Sequence, residues 1–155
     1  MMGFTDSDYA RDQDDRKSTS RYVFMLGTRV VSWSSKNNQL LPYQQLKLNC
    51  TCNFMSCQAI WLKRILEEIQ FKQQGATSIY CDNSSTIKLS RNPVLHGRSK
   101  HIDVKYHFLR DLAKDGVINL IFCRSEDQVA DIFTKPLKTP LFHKLRELLG
   151  VCSLG

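Results

Sequence analysis

Two periods of hydrophobic and polar positions divide this chain into strands and helices. Gly3 to Asp8 opens it with a short apolar step that ends at Asp6 and a turn. Ser20 to Leu26, with Tyr22, Val23, Phe24 and Met25, has the aromatic and β-branched content of a pleated surface. Gly27-Thr28 reads as a turn, and Arg29 to Ser35, with Val30, Val31 and Trp33, as the next strand. Strands this close in sequence pair as an antiparallel hairpin. With the Phe4 strand in front, the pattern predicts a three-stranded meander.

Asn37 to Asn53 has no clean period and is interrupted by Pro42. From Cys57 the pattern sharpens. Cys57, Ile60, Trp61, Ile65, Leu66 and Ile69 recur at helical spacing, with Lys63, Arg64, Glu67 and Glu68 opposite. The expectation is an amphipathic helix ending before Gly75, with Trp61, like Trp33, in the core. Thr77 to Cys81 reads as a buried strand, and Asn83 to Leu89 as a helix capped by Asp82 or Asn83 and stopped by Asn92-Pro93. After a basic loop from His96 to His101, Ile102 to Lys114 predicts a helix with Ile102, Phe108, Leu109, Leu112 and Ala113 inward. Asp115-Gly116 closes it, and Val117 to Cys123 is a further strand. Ser125-Glu126-Asp127-Gln128 has capping-box spacing and predicts a helix through Asp131 and Phe133, broken before Pro136. Pro140 is placed as the first residue of a terminal helix reaching Leu149. The class is α/β: a mixed five-stranded sheet, three antiparallel strands then two more, flanked by helices.

The length of 155 residues suits one domain with one core. Its body is expected over residues 1–135, with a helical extension over 136–155. A hydrophobic content of 42% and a charged content of 24% are ordinary for a soluble globular protein. The net charge of +7 suggests a polyanionic partner, nucleic acid first, with a merely lysine-rich surface as the plain alternative. No apolar run approaches the length of a membrane span, and the polar start has no leader-like run, so no membrane partner is expected. Cys50, Cys52, Cys57, Cys81, Cys123 and Cys152 are expected as free thiols in a reducing, intracellular compartment. Cys50, Cys52 and Cys57 lack a nearby fourth ligand for zinc.

Three aspartates carry the candidate chemistry: Asp6, Asp82 and Asp131, each placed where an element ends or turns. Carboxylates brought together from distant segments are how a fold holds divalent metal. Taken singly, Asp6 reads as a turn residue, Asp82 as a helix cap and Asp131 as a solvated helical acid.

The wording around them joins the three. Gly3-Phe4-Thr5-Asp6-Ser7-Asp8-Tyr9-Ala10, Asp15-Arg16-Lys17-Ser18-Thr19-Ser20, Ser32-Trp33-Ser34-Ser35-Lys36, Gln58-Ala59-Ile60-Trp61-Leu62, Tyr80-Cys81-Asp82-Asn83, Lys100-His101-Ile102-Asp103 and Ala130-Asp131-Ile132-Phe133-Thr134-Lys135-Pro136-Leu137 span nearly the whole chain. Together they resemble the ribonuclease H domain of copia-type retrotransposon Pol polyproteins, plant elements above all. The resemblance implies a ribonuclease H-like fold. It also implies four acids holding two Mg²⁺ (or Mn²⁺) ions that cut the RNA strand of an RNA–DNA hybrid. Asp6, Asp82 and Asp131 match three of the four.

The fourth acid is expected on the first helix, in an element reading Ser-Thr-Thr-Glu-Ala-Glu-aromatic. Tyr43-Gln44-Gln45-Leu46-Lys47-Leu48-Asn49 stands there and holds no acid. If its codons are TAT CAA CAA CTG AAG CTG AAT, reading from the third base spells Ser-Thr-Thr-Glu-Ala-Glu, so the motif can lie out of frame. The resemblance therefore implies a degenerate copy with little or no nuclease activity. The alternatives are a non-catalytic nucleic-acid-binding relic and an unstable pseudogene product. Arg11 and Arg21 also stand where the family favours glycine. Lys17, Arg98, Lys100, Lys105 and Arg110 are the candidate phosphate contacts, while His101 and His107 are expected to be structural. The implied partners are an RNA–DNA hybrid and a reverse transcriptase domain of the same polyprotein, from which the chain reads as an excised fragment. The implied location is the cytoplasm, in a virus-like particle, or the nucleus.

Overall fold

The computed structural model describes residues 1–8, 18–38, 44–91, 100–133 and 135–151. Five strands form one sheet: β1 (Met2–Asp8), β2 (Ser18–Leu26), β3 (Arg29–Asn38), β4 (Thr77–Cys81) and β5 (Ile118–Phe122), in the order β3-β2-β1-β4-β5. The first three make the expected antiparallel meander. β1 then pairs β4 in parallel, and β4 pairs β5 in parallel. Parallel neighbours need long crossovers. The helices α1 (Gln44–Glu68), α2 (Ser84–Arg91) and α3 (Lys100–Lys114) lie in those connections, and α4 (Thr139–Leu148) follows the sheet. This is the mixed α/β architecture that the two periods predict.

β2 lies inside the sheet, and its unbroken apolar run serves both faces. Tyr22 and Phe24 pack on one side with Cys52, Met55, Ala59, Ile79, Leu109 and Leu120. Val23 and Met25 pack on the other with Val129, Ala130 and Leu149. Gly3 admits the approach of α1 to the sheet. A Cβ there would lie 2.8 Å from Met55 Cε and 2.9 Å from the Phe24 ring.

Several expectations are corrected. α1 starts at Gln44, inside the stretch without a clean period, and its buried side chains are Cys52, Met55, Ser56 and Ala59. Cys57, Trp61, Ile65 and Ile69 are exposed. Two overlapping sets at helical spacing exist on this helix, and docking against Gly3 and Phe24 selected the earlier one. Trp33, expected in the core, is 59% exposed and stacks on Phe133 with ring centroids 5.4 Å apart. Phe108 is also exposed, and the inward place next to it belongs to Leu109. Asp6 is not at a turn. β1 continues to Asp8, with Asp6 opposite Arg21.

The capping-box helix is absent as well. Ser125–Asp127 and Val129–Phe133 are separate 3-10 turns, and no side chain caps the first. Gln128 reaches the Thr5 carbonyl instead, at 2.9 Å. Closer to expectation, Pro140 lies in the first turn of α4, after Lys138 at the cap. Gly116 (φ 67) ends α3, where the Val117 N–H donates to the Leu112 carbonyl at 2.9 Å. The charged loop over 10–17 with Lys17, Pro42, Asn92-Pro93, Arg98 and Cys152 lie outside the described residues.

Candidate metal centre

The parallel register of β1 and β4 builds the first half of the site. Thr5 pairs Cys81, so the next residues, Asp6 and Asp82, come out side by side. Asp131 arrives from the far end of the chain, on the second 3-10 turn. The buried Gln128 fastens that segment to β1. Its Nε2 donates to Thr5 O at 2.9 Å and to Cys123 Sγ at 3.4 Å, while its Oε1 accepts the Ala130 N–H at 3.4 Å. One carboxylate oxygen from each of Asp6, Asp82 and Asp131 then lies within 4.8 Å of the other two.

Asp6 and Asp131 are buried, and like charges this close raise one another's energy. Lys135 offsets part of that cost. Its Nζ lies 2.9 Å from Asp131 Oδ1 and 3.5 Å from Asp6 Oδ1. Burial pushes the Asp131 carboxyl up to about 6; the Lys135 hydrogen bond pulls the other way, and the Asp6 charge adds to the rise. Burial works against the Lys135 ammonium, but the hydrogen bond to Asp131 and the charges of Asp6, Asp131 and Asp82 outweigh it and raise its pKa. Of the thiols beneath, two are pushed up and Cys81, through its hydrogen bond with Cys52, is lowered. Burial, and then the Asp82 charge, carry Cys123 to about 12. Cys52 is hydrogen-bonded to Cys81 and, with burial added, is raised well above the ordinary thiol.

The donors suit a hard divalent cation. All three candidate ligands are carboxylate oxygens, the set preferred by Mg²⁺ and Mn²⁺ over zinc. Asp6 Oδ2 is buried with no hydrogen-bond partner, an acceptor that a cation would satisfy. The expected fourth acid has no substitute in α1, whose only acids are Glu67 and Glu68 in its last turn.

The candidate phosphate contacts are scattered. Lys100 and Lys105 lie on α3. Arg110 is half-buried and, with Arg91 and Lys114, lines a cleft of about 380 Å³ beside the edge strand β5. His107 is exposed on α3, and His101 lies near its start. Cys52 is buried while Cys57 on the same helix is exposed. Sequence reading missed Gln128 and Lys135 as parts of the site. Gln128 was assigned to a cap, and Lys135 stood in plain view in the wording Thr134-Lys135-Pro136-Leu137 without a role.

No protein-family model matches the chain. Over 154 residues, 99% of its length, the chain is 34% identical to the retrovirus-related Pol polyprotein from transposon TNT 1-94 of Nicotiana tabacum. It is also 34% identical, over 153 and 156 residues, to the corresponding polyproteins from transposons RE1 and RE2 of Arabidopsis thaliana. It spans 12%, 10% and 11% of those three relatives. Among solved structures it is similar to the prototype foamy virus protease-reverse transcriptase, with a TM-score of 0.55 at 11% identity, covering 99% of this chain and 21% of that one. At that identity the likeness concerns the fold, which is the ribonuclease H-like one that the motifs implied.

Proposed function

The chain belongs with one segment of the Pol polyproteins of copia-type retrotransposons, and on that premise we propose that it is a metal-dependent ribonuclease H-like domain in a copy whose catalysis is crippled. The observation that carries this reading is the meeting of Asp6, Asp82 and Asp131 from three distant segments, with an orphaned buried oxygen on Asp6. A bound Mg²⁺ or Mn²⁺ pair supplies an activated water and a counter-charge for the leaving oxygen when an RNA strand is cut. Asp6, paired with Arg21 of β2 and one residue past the β1–β4 register, would be the rigid ligand. Asp82 comes with the parallel register, and Asp131 is held by the Gln128 anchor. Without an acid near position 48 or 49, three carboxylates share work that the resemblance assigns to four.

The substrate of this reading is an RNA–DNA hybrid, approached by the excess of positive charge. A reverse transcriptase domain of the same polyprotein is the natural partner. No helix among the described residues is long and apolar enough to cross a membrane.

The test is a hybrid-cleavage assay in Mg²⁺ and in Mn²⁺, paired with thermal melts. Mn²⁺ is expected to raise the melting temperature, Asp6→Asn and Asp82→Asn to abolish that rise, and cleavage to stay near background. Cleavage well above background and equal to that of an Asn49→Glu variant would show that the copy is not crippled. A melt indifferent to Mn²⁺ would remove the metal site. A second reading, a non-catalytic nucleic-acid binder, is favoured by the charge of +7. It requires hybrid binding that persists in Asp6→Asn without metal.

A further inference from the structure

We propose that Lys135 is a built-in counter-ion of the carboxylate cluster, and that a divalent cation must displace its ammonium to enter. The inference rests on the metal-site reading above and adds a regulatory feature to it. Lys135 Nζ bridges two of the three acids, 2.9 Å from Asp131 Oδ1 and 3.5 Å from Asp6 Oδ1. A cation seated among the three would bind these same two carboxylates. The ammonium and the metal therefore compete for the same two groups as well as repelling each other.

The lysine is held at its two ends, the backbone N–H and the Nζ head. Its backbone N–H donates to the Asp131 carbonyl at 3.0 Å, so the side chain starts one turn after the acid it grips. Pro136 follows directly and fixes the exit of the chain. Its side chain is 22% exposed, against 4% for each of the two aspartates, so it lies on the solvent side of the cluster. A long flexible stem lets the head swing out without moving the backbone. The arrangement explains how three crowded carboxylates coexist in a fold before any metal arrives. It also makes metal binding weaker than the ligand set alone would give.

The experiment titrates the full-length chain with Mn²⁺ alone, followed by electron paramagnetic resonance and thermal melts. Wild type, Lys135→Met and Lys135→Arg are compared. Lys135→Met is expected to melt lower than wild type without metal and to bind Mn²⁺ roughly tenfold tighter or more, since a unit charge within a few ångströms is removed. Lys135→Arg keeps the charge and is expected to stay near wild type. A second measurement uses wild type only: acetylation of Lys135 by a small activated ester, mapped by mass spectrometry, is expected to increase when Mn²⁺ is added. If wild type binds Mn²⁺ but Lys135→Met binds it no tighter, or if Lys135 reactivity does not rise with metal, the counter-ion role is wrong and the metal site stands. If neither wild type nor Lys135→Met binds Mn²⁺, the metal-site reading fails and takes this inference with it.

Discussion

Asp131 is the residue on which the site's electrostatics turn. Its folded pKa is raised from 3.8 to about 6, chiefly by burial. The folded chain therefore holds this proton more tightly than the unfolded one does. The resulting stability is full below the unfolded value, drains away as pH rises through the folded value and is then gone. Urea denaturation of the metal-free chain is expected to show stability falling between about pH 4 and pH 6, and Asp131→Asn to flatten that slope. Gln128 is the second such residue. Gln128→Leu leaves the Thr5 carbonyl buried and without that donor. A loss of about 1–3 kcal/mol in urea denaturation is expected, with a smaller Mn²⁺-induced rise in melting temperature. Neither role is visible in the sequence. The Gln128–Thr5 bond spans 123 positions, and the local spacing around Ser125 suggested a capping box.

Among the elements, α1 shows where periodicity stops being informative. The helical period from Cys57 onward was real, but it did not fix which face is buried. Cys52, Met55, Ser56 and Ala59 took the sheet side, and Trp61 was left 54% exposed. The start at Gln44 also escaped detection, because the residues before Cys52 carry no clean apolar stripe. β4 runs from Thr77 to Cys81, the ends its sequence predicts, since a short buried strand bounded by turn residues has few alternatives.

α1 also spans the positions where the resemblance expects a fourth acid. Positions 48 and 49 lie about a turn before Cys52, whose thiol meets Cys81, the neighbour of Asp82. Asn49→Glu or Leu48→Glu is expected to tighten Mn²⁺ binding by roughly 10–100-fold and to bring hybrid cleavage above background. The gene offers an independent check. Its codons for Tyr43 to Asn49 are expected to spell Glu-Ala-Glu in a shifted frame, and sequencing that finds codons unable to do so refutes the frameshift account.

For the whole molecule, charge and sheet order set what the chain can meet. The net charge of +7 is spread over the chain, and the basic residues named above lie on α3, beside β5 and outside the described residues. Hybrid binding is expected to be strongly salt-dependent, weakening by about 10-fold or more between 50 and 200 mM salt in a filter-binding or anisotropy titration. A flat response excludes phosphate contacts as the main source of affinity.

The sequence by itself determined the order of the five strands and of α1 to α4, the α/β class and the identity of the three aspartates. Those depend on period, composition and local wording, which short segments express unaided. Tertiary structure alone decided which stripe of α1 faces the sheet, that Asp6 lies inside a strand, and that Gln128 and Lys135 complete the cluster. Such choices are settled by the parallel pairing of β1 with β4 and by contacts across most of the chain, where the competition between packings is won by the whole and not by any segment.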